Sequence, residues 1–259
     1  MNADVKKTGR RFFALLTLIF AWEVMSRVGV INPFYVPAPT EVLRVVFSLF
    51  SEGTIFSHLE ATFFASLVGL AIGLVLGIFL GFAAALVSWV ADVLEPIMLL
   101  LNAIPRVILA PLFVIWLGIE IPSKIALAVV LVAVLIFFAV YNGIKDVNQL
   151  LVDRVKTLGG GRMVLLREVY VPSVTAWVLG SLKVAVGFAF TGACVGEFVA
   201  ATRGLGYLLQ FAQSTYNAAL TIGLILLIMA FVLILFFCAE AIERRLLHWR
   251  YRGTNEKPA

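Results

Sequence analysis

This chain is poor in charge. Only 14% of its 259 residues are Asp, Glu, Lys or Arg, while 62% are apolar; soluble domains carry about 25% and about 45–50% respectively. No soluble core hides that much apolar surface at this length, so lipid is the solvent for most of the chain. The excess of basic over acidic residues, 20 against 15, is therefore a topology signal and does not point to nucleic acid. Cysteine is almost missing. Cys194 and Cys238 lie far apart in apolar runs, which argues against a disulfide framework or a metal site and for two small buried hydrophobes. His58 and His248 stand alone. No G-x-x-x-x-G-K-[ST] occurs, so the chain does not itself cradle ATP phosphates, and no nucleophile–base pair or metal-ligand spacing supports an enzyme. Lys6, Lys7, Arg10 and Arg11 precede an apolar run like a signal peptide, but no small-X-small cleavage site follows. That predicts an uncleaved first span.

What remains is a series of apolar blocks. Spans of about 20 residues are expected near 11–31, 59–90, 97–118, 124–142, 174–200 and 218–241. The chain thus reads as one all-α integral membrane domain, 1–259, of about six transmembrane helices. Six spans put both termini on one side. Basic residues gather at the N-terminus, at Lys145, Arg154, Lys156, Arg162 and Arg167, and in the tail (Arg244, Arg245, Arg250, Arg252, Lys257); the other face keeps Arg27, Arg44, Lys124 and Arg203. The positive-inside rule predicts a multi-pass protein with both termini and the loop at 143–173 in the cytoplasm. On the opposite face, the prolines of 32–39 exclude helix, and Thr40 is expected to cap a short helix from Glu41 to about Phe50, with Val42, Val45, Val46 and Leu49 on one side. Leu208 to Asn217 reads as a second amphipathic segment. The second span carries Ala61, Ala65, Gly69, Gly73, Gly77, Gly81 and Ala85, each four apart. Small residues at that spacing admit a close helix partner in lipid. A row of four drifts around a 3.6-residue helix, so the partner is expected to cross at an angle and meet part of the row. Contact within the chain is placed ahead of contact with a second copy.

The stretch Gly143–Pro172 is the polar exception. It reads as a short helix, a turn at Gly159 and a second helix stopped by Pro172. Leu158, Met163, Leu165 and Leu166 would form an apolar face, rimmed by Arg162, Arg167 and Glu168, for a groove in a soluble partner. This island resembles the cytoplasmic signature loop of ABC importer permeases, Glu-Ala-Ala, three residues, Gly, nine residues, Ile-X-Leu-Pro. Here Gly159 is followed by nine residues and then Val169-Tyr170-Val171-Pro172. Asp153 stands at the acidic position, and Arg154 and Val155 replace the two alanines. Trp22-Glu23, Val36-Pro37-Ala38-Pro39-Thr40-Glu41, Glu95-Pro96, Ile104-Pro105-Arg106, Gly180-Ser181-Leu182-Lys183, Gly196-Glu197-Phe198 and Gly204-Leu205-Gly206-Tyr207 follow the branch for nitrate, sulfonates and taurine in order. The resemblance implies a type I permease fold and a homodimer. It also implies an extracytoplasmic solute-binding protein, a cytoplasmic ATPase that binds the ATP, no cofactor on this chain, and a small anionic solute. Asp153, Arg154, Leu158, Gly159, Arg162, Leu166, Val169, Val171 and Pro172 would couple to the ATPase.

Three charged residues lie within or beside spans, where they are expensive and usually face a cavity or pair internally. Arg106 either attracts an anion on the translocation path or pairs with a carboxylate such as Glu197. Lys183 lines the path or snorkels towards the cytoplasm, and Glu197 serves as a gate or as a pairing group. A secondary transporter without an ATPase is the alternative, although it would want carboxylates and broken helices at matching places in two halves. A membrane-embedded enzyme ranks third.

Overall fold

The computed structural model describes residues 2–246, with side chains throughout except at 2–8, 11, 12, 15, 106 and 246; His248 and the basic residues of the tail beyond Arg245 lie outside it. Regular structure among the described residues is entirely helical: α1 (Asn2–Arg27), α2 (Pro39–Ser51), α3 (Thr54–Leu86), α4 (Ser88–Ala103), a 3-10 turn (Arg106–Ile108), α5 (Leu109–Leu117), α6 (Ile121–Lys145), α7 (Gln149–Thr157), α8 (Arg162–Leu165), a π segment (Leu166–Tyr170), α9 (Val171–Val199), α10 (Leu205–Ser214) and α11 (Ala218–Leu246). Among these residues four helical stretches are long and apolar enough to cross a membrane: Thr54–Leu86, Ile121–Lys145, Arg162–Val199 and Ala218–Arg245.

The expected third span is not one helix. Pro105 pushes Ile104 into an extended conformation, φ −69° and ψ 130°, because the residue before a proline is disfavoured in α geometry. The traverse is therefore split into α4 and α5. Pro111 falls in the first turn of α5, where a missing N–H is tolerated, so it does not add a second break.

The centre of the fold is α3 against α6. An added Cβ on Gly69, Gly73, Gly77 or Gly81 would stand 2.5–2.7 Å from the Cβ of Ala128, Val132, Ile136 or Val140 in turn. The two helices are thus parallel, and the ladder serves contact within the chain. It is met along its length, contrary to expectation, because the facing row on α6 also advances by four and drifts with it. α9 runs antiparallel to α6: Gly192 lies on Ala128, Gly143 lies under Trp177, and Ser173 Oγ donates to the Gly143 carbonyl at 3.0 Å. α11 runs antiparallel to α9, with Gly187 beside Phe236.

These pairings give the bundle two ends. Residues 146–170, Leu86 and Arg244 lie at one, called here the loop end. Thr54, Ile121, Val199 and Ala218 lie at the other, the far end. There α2 turns Val42 (buried), Val45, Val46 and Leu49 inward onto α11 and the start of α3. Thr40 does not cap α2, whose N-cap is Ala38. Instead Glu23 of α1 accepts from Thr40 N at 3.1 Å and from its hydroxyl at 2.8 Å, and bonds Arg27 at 2.5 Å. A carboxylate brought from another helix thus does the work assigned to the local hydroxyl.

Candidate functional site

At the loop end, α7 starts on the Asn148 side chain, which accepts from Leu150 N at 2.9 Å. It closes in a Schellman turn: Gly159 N donates to Lys156 O at 3.0 Å and Gly160 N to Val155 O at 2.8 Å. Gly159 takes φ +81°, the left-handed conformation this turn requires and glycine adopts without penalty. α8, the π segment and α9 then run on without interruption.

Pro172 does not stop the second helix. It sits in the first turn of α9, and the π segment just before it widens the hydrogen-bond ladder where a proline N–H is missing. Val147, Val152 and Leu165 are buried beneath, with Val155, Val169 and Tyr170 packed on them. Leu165 is thus mostly buried beneath the hairpin, and its remaining surface lines a concavity beside Met163 and Leu166.

The outside of this hairpin is otherwise apolar for an aqueous end. Leu158 is 87% exposed and Met163 73%, with Leu150, Leu151, Val164 and Val171 also exposed. Two concavities flank it. One, of about 470 Å³, is lined by Arg154, Leu158, Val169 and Pro172 together with Leu151 and Glu168. The other, of about 510 Å³, brings Arg162 and Leu166 together with Met163 and Tyr170 against Leu86 and Val87 at the α3–α4 corner. Asp153 and Gly159 are exposed but line neither. Sequence reading missed Leu150 and Leu151, whose polar neighbours masked them, and the α3–α4 corner, which no local pattern ties to the loop. Beside the loop, Tyr141 Oη donates to Glu95 at 2.7 Å under the Lys145 ammonium, 4.1 Å above its ring.

The far end holds a different cluster. Glu197 is buried and accepts from Thr62 Oγ1 at 2.8 Å and Gly206 N at 2.9 Å. Thr62 Oγ1 accepts from Leu205 N at 2.9 Å, and His58 Nδ1, stacked on Tyr207, accepts from Gly204 N at 3.1 Å. The first N–H groups of α10 are thus satisfied by α3 and α9. A side chain at Gly204 would run into the Glu197 carboxylate. Lys124, also buried, donates to the Ile119 carbonyl and shares with Glu197 a cavity of about 10 Å³, room for about one water and too small for a solute. Lys183 pairs with Glu240 of α11 at 3.3 Å, and Glu240 also binds Arg244 at 2.6 Å. The structure therefore does not bring Lys183 and Glu197 together. The backbone of Arg106 lies in the 3-10 turn, and its side chain lies outside the described residues.

Residues 73–248 match the family of binding-protein-dependent transport system inner membrane components. The chain belongs to that family. It is the permease subunit of an ABC importer, an all-helical membrane protein that works with an ATPase and a solute-binding protein. The permease is 32% identical to the formylaminopyrimidine transport permease protein ThiX of Halalkalibacterium halodurans, over 92% of this chain and 94% of that protein. It is 31% identical to the riboflavin transport system permease protein RibX of Chloroflexus aurantiacus, over 91% and 88%. To the taurine transport system permease protein TauC of Escherichia coli it is 28% identical, over 91% and 87%. Among solved structures the fold resembles an inward-facing MetNI methionine ABC transporter, with a TM-score of 0.58 at 21% identity over 74% of this chain and 93% of that one. An amino acid ABC transporter with histidines gives a TM-score of 0.63 at 16% identity over 77% and 97%. This is the type I importer permease fold, and nothing in the comparisons favours a secondary transporter.

Proposed function

We propose that the permease acts as a homodimer whose loop 146–170 docks into the ATPase and passes the motion of ATP binding and hydrolysis to the spans. The observation that carries this is the exposed apolar crest at Leu158 and Met163, held on a hairpin that is internally packed and stiffly turned. Leu158, Arg154, Val169 and Pro172 on one side, and Arg162 and Leu166 on the other, meet the ATPase; Asp153, Gly159 and Val171 frame that contact. ATP bound by the partner draws the two loops together and opens the spans away from them, and hydrolysis resets them, as rigid-body alternating access. Lys145, Arg154, Lys156, Arg162, Arg167, Arg244 and Arg245 gather at the loop end, which supports placing it in the cytoplasm. One chain with four apolar spans among its described residues is too small to enclose a wide path, which supports two copies. Leu158→Asp with Met163→Asp should abolish association with the ATPase and solute-stimulated hydrolysis while the chain still inserts. Full stimulation by that double variant refutes the reading.

The solute is a small anion, delivered by the binding protein and met on the path by Arg106. Relatives named for taurine and for aliphatic sulfonates, the latter 27% identical over 97% of this chain, support it. A second reading, a neutral heterocycle, is favoured by the relatives at 32% and 31% named for formylaminopyrimidine and riboflavin. Calorimetry of the partner binding protein with taurine, ethanesulfonate, riboflavin and formylaminopyrimidine decides between them; retention of a heterocycle alone overturns the anionic assignment.

A further inference from the structure

The α4–α5 break is in the wrong solvent if it faces lipid. Its depth follows from its neighbours. Glu95 is level with Tyr141, Met98 and Leu101 pack with Val134 and Val130, and α5 packs along α6. The break therefore falls between the level of Val130 and the far end of α6 at Ile121, about 10 Å inside that end at a helical rise of roughly 1.5 Å per residue. Yet Asn102, Ala103, Ile104, Pro105, Val107 and Ile108 are all exposed.

Pro105 brings no N–H to the carbonyl of Leu101, and the Asn102 amide makes no hydrogen bond with the described residues. Unsatisfied amides and carbonyls are costly in hydrocarbon, and irregular backbone at membrane depth is tolerated only where protein or a water-filled cavity covers it.

α9 supplies the adjoining wall, since both the 3-10 turn and α5 pack against it. It turns Ala185, Ala189, Gly192 and Gly196 to α6, Gly187 and Lys183 to α11, and Phe190 and Glu197 to α3 and α10. The remaining quadrant carries Gly180, Val184 and Thr191, all exposed. Thr191 is next to Gly192, which lies on Ala128, so its hydroxyl is level with the break, and it too has no hydrogen-bond partner among the described residues.

We infer that the solute path runs along this face, where the Asn102 amide, the freed carbonyls of the break and the Thr191 hydroxyl hold a small solute carrying hydrogen-bond donors. The inference rests on the transport reading and adds the lining residues. Carbonyls only accept, so they suit a solute with N–H or O–H groups, whether or not it also bears the anionic group proposed above.

The test uses Asn102→Cys and Thr191→Cys in a chain with Cys194→Ala and Cys238→Ala, assembled with its ATPase in membranes. The probe is a water-soluble sulfonated thiosulfonate. Both positions should react at least tenfold faster than Val75→Cys and Phe79→Cys, which are exposed on the apolar side of α3. Modification should also block uptake of whatever the binding protein retains. Reaction no faster than at the α3 controls, or at one of the two positions alone, overturns the shared path. So does oxidative cross-linking of either cysteine to its copy without reagent access, which would make the face a dimer seam. Because labelling needs no solute, a binding protein that retains only a neutral heterocycle would defeat the anionic assignment and leave this one standing. Asn102→Leu and Thr191→Val provide a second readout: each should lower uptake at least tenfold at unchanged abundance, and normal uptake by both overturns the inference.

Discussion

The Schellman turn at Gly159–Gly160 lets conformational and steric effects on the loop be separated. A Cβ at Gly159 would meet nothing within 4 Å, so substitution there acts only through the backbone, held at φ +81°. For an L-residue that conformation costs about 1–2 kcal/mol, with a β-branched side chain at or beyond the upper end. At 1.4 kcal/mol per tenfold, the closed turn should lose about 5- to 30-fold in population relative to open forms. Asparagine enters the left-handed region more readily than other side chains, so Gly159→Asn should lie nearest to glycine, Gly159→Ala next and Gly159→Val furthest. Gly160 fails differently. Its Cβ would stand 2.5 Å from Val155 Cγ1 and 2.8 Å from the Val155 carbonyl, the acceptor that closes the turn. Gly160→Ala should therefore cost about 1–3 kcal/mol as overpacking at an unstrained backbone.

Solute-stimulated ATP hydrolysis and uptake in the reconstituted complex, normalised to inserted chain, should follow the order Gly, Asn, Ala, Val at position 159, with unchanged membrane insertion. Val at wild-type activity would show that the turn need not hold its shape and that the loop is a tether. Equal losses for Asn and Val would place the fault in a clash with the ATPase and refute the conformational argument.

Gly77→Val should disturb α3 against α6, since its Cβ would stand 2.7 Å from that of Ile136 and 2.8 Å from the Ala133 carbonyl; a loss of about 1–3 kcal/mol should appear as a lowered melting temperature in detergent. Glu197→Ala removes the acceptor that starts α10 and leaves the buried Thr62 hydroxyl and Gly206 N–H without it, a loss of about 1–3 kcal/mol for each donor left unsatisfied, whereas Glu197→Gln keeps one acceptor and should lose less; thermal melting and thiol labelling along α10 measure both. Arg106→Gln should lower uptake with assembly intact if the guanidinium meets solute, and should lower complex stability if it is paired; no change in either removes it from both roles. A cysteine at Tyr35 should react with an impermeant thiol reagent on intact cells and one at Lys156 should not; labelling at 156 would invert the topology.

Sequence reading succeeded where one local rule decides the structure and faltered where two segments share the decision. Continuous apolar runs identified α3, α6, α9 and α11, and the demand for positive φ identified the turn at Gly159. Hydropathy could not show that 97–118 is two helices, because it is blind to the extended geometry that Pro105 imposes on Ile104. Proline at 172 looked like a stop because the rule presumes an unbroken i to i−4 ladder, and the π segment removes that presumption. The cluster at Glu197 draws on residues 58, 62, 124, 197 and 204–206 from α3, α6, α9 and the start of α10, so no window of sequence contains it; Gly196-Glu197-Phe198 and Gly204-Leu205-Gly206 were its visible traces.

The same distinction governs the charges. A count weighs Arg27, Lys124, Lys183 and Glu197 equally with Arg154, Lys156 and Arg162. In the fold the first four are engaged: Arg27 with Glu23, Lys124 with the Ile119 carbonyl, Lys183 with Glu240, and Glu197 with Thr62 and Gly206. Arg154, Lys156 and Arg162 stay exposed around Leu158 and Met163. At the far end Arg27, Lys124 and Glu197 hold helix ends together and Lys183 is paired along the bundle with Glu240, whereas the loop between α6 and α9 leaves its basic groups exposed beside an apolar crest, the combination that a soluble partner can recognise.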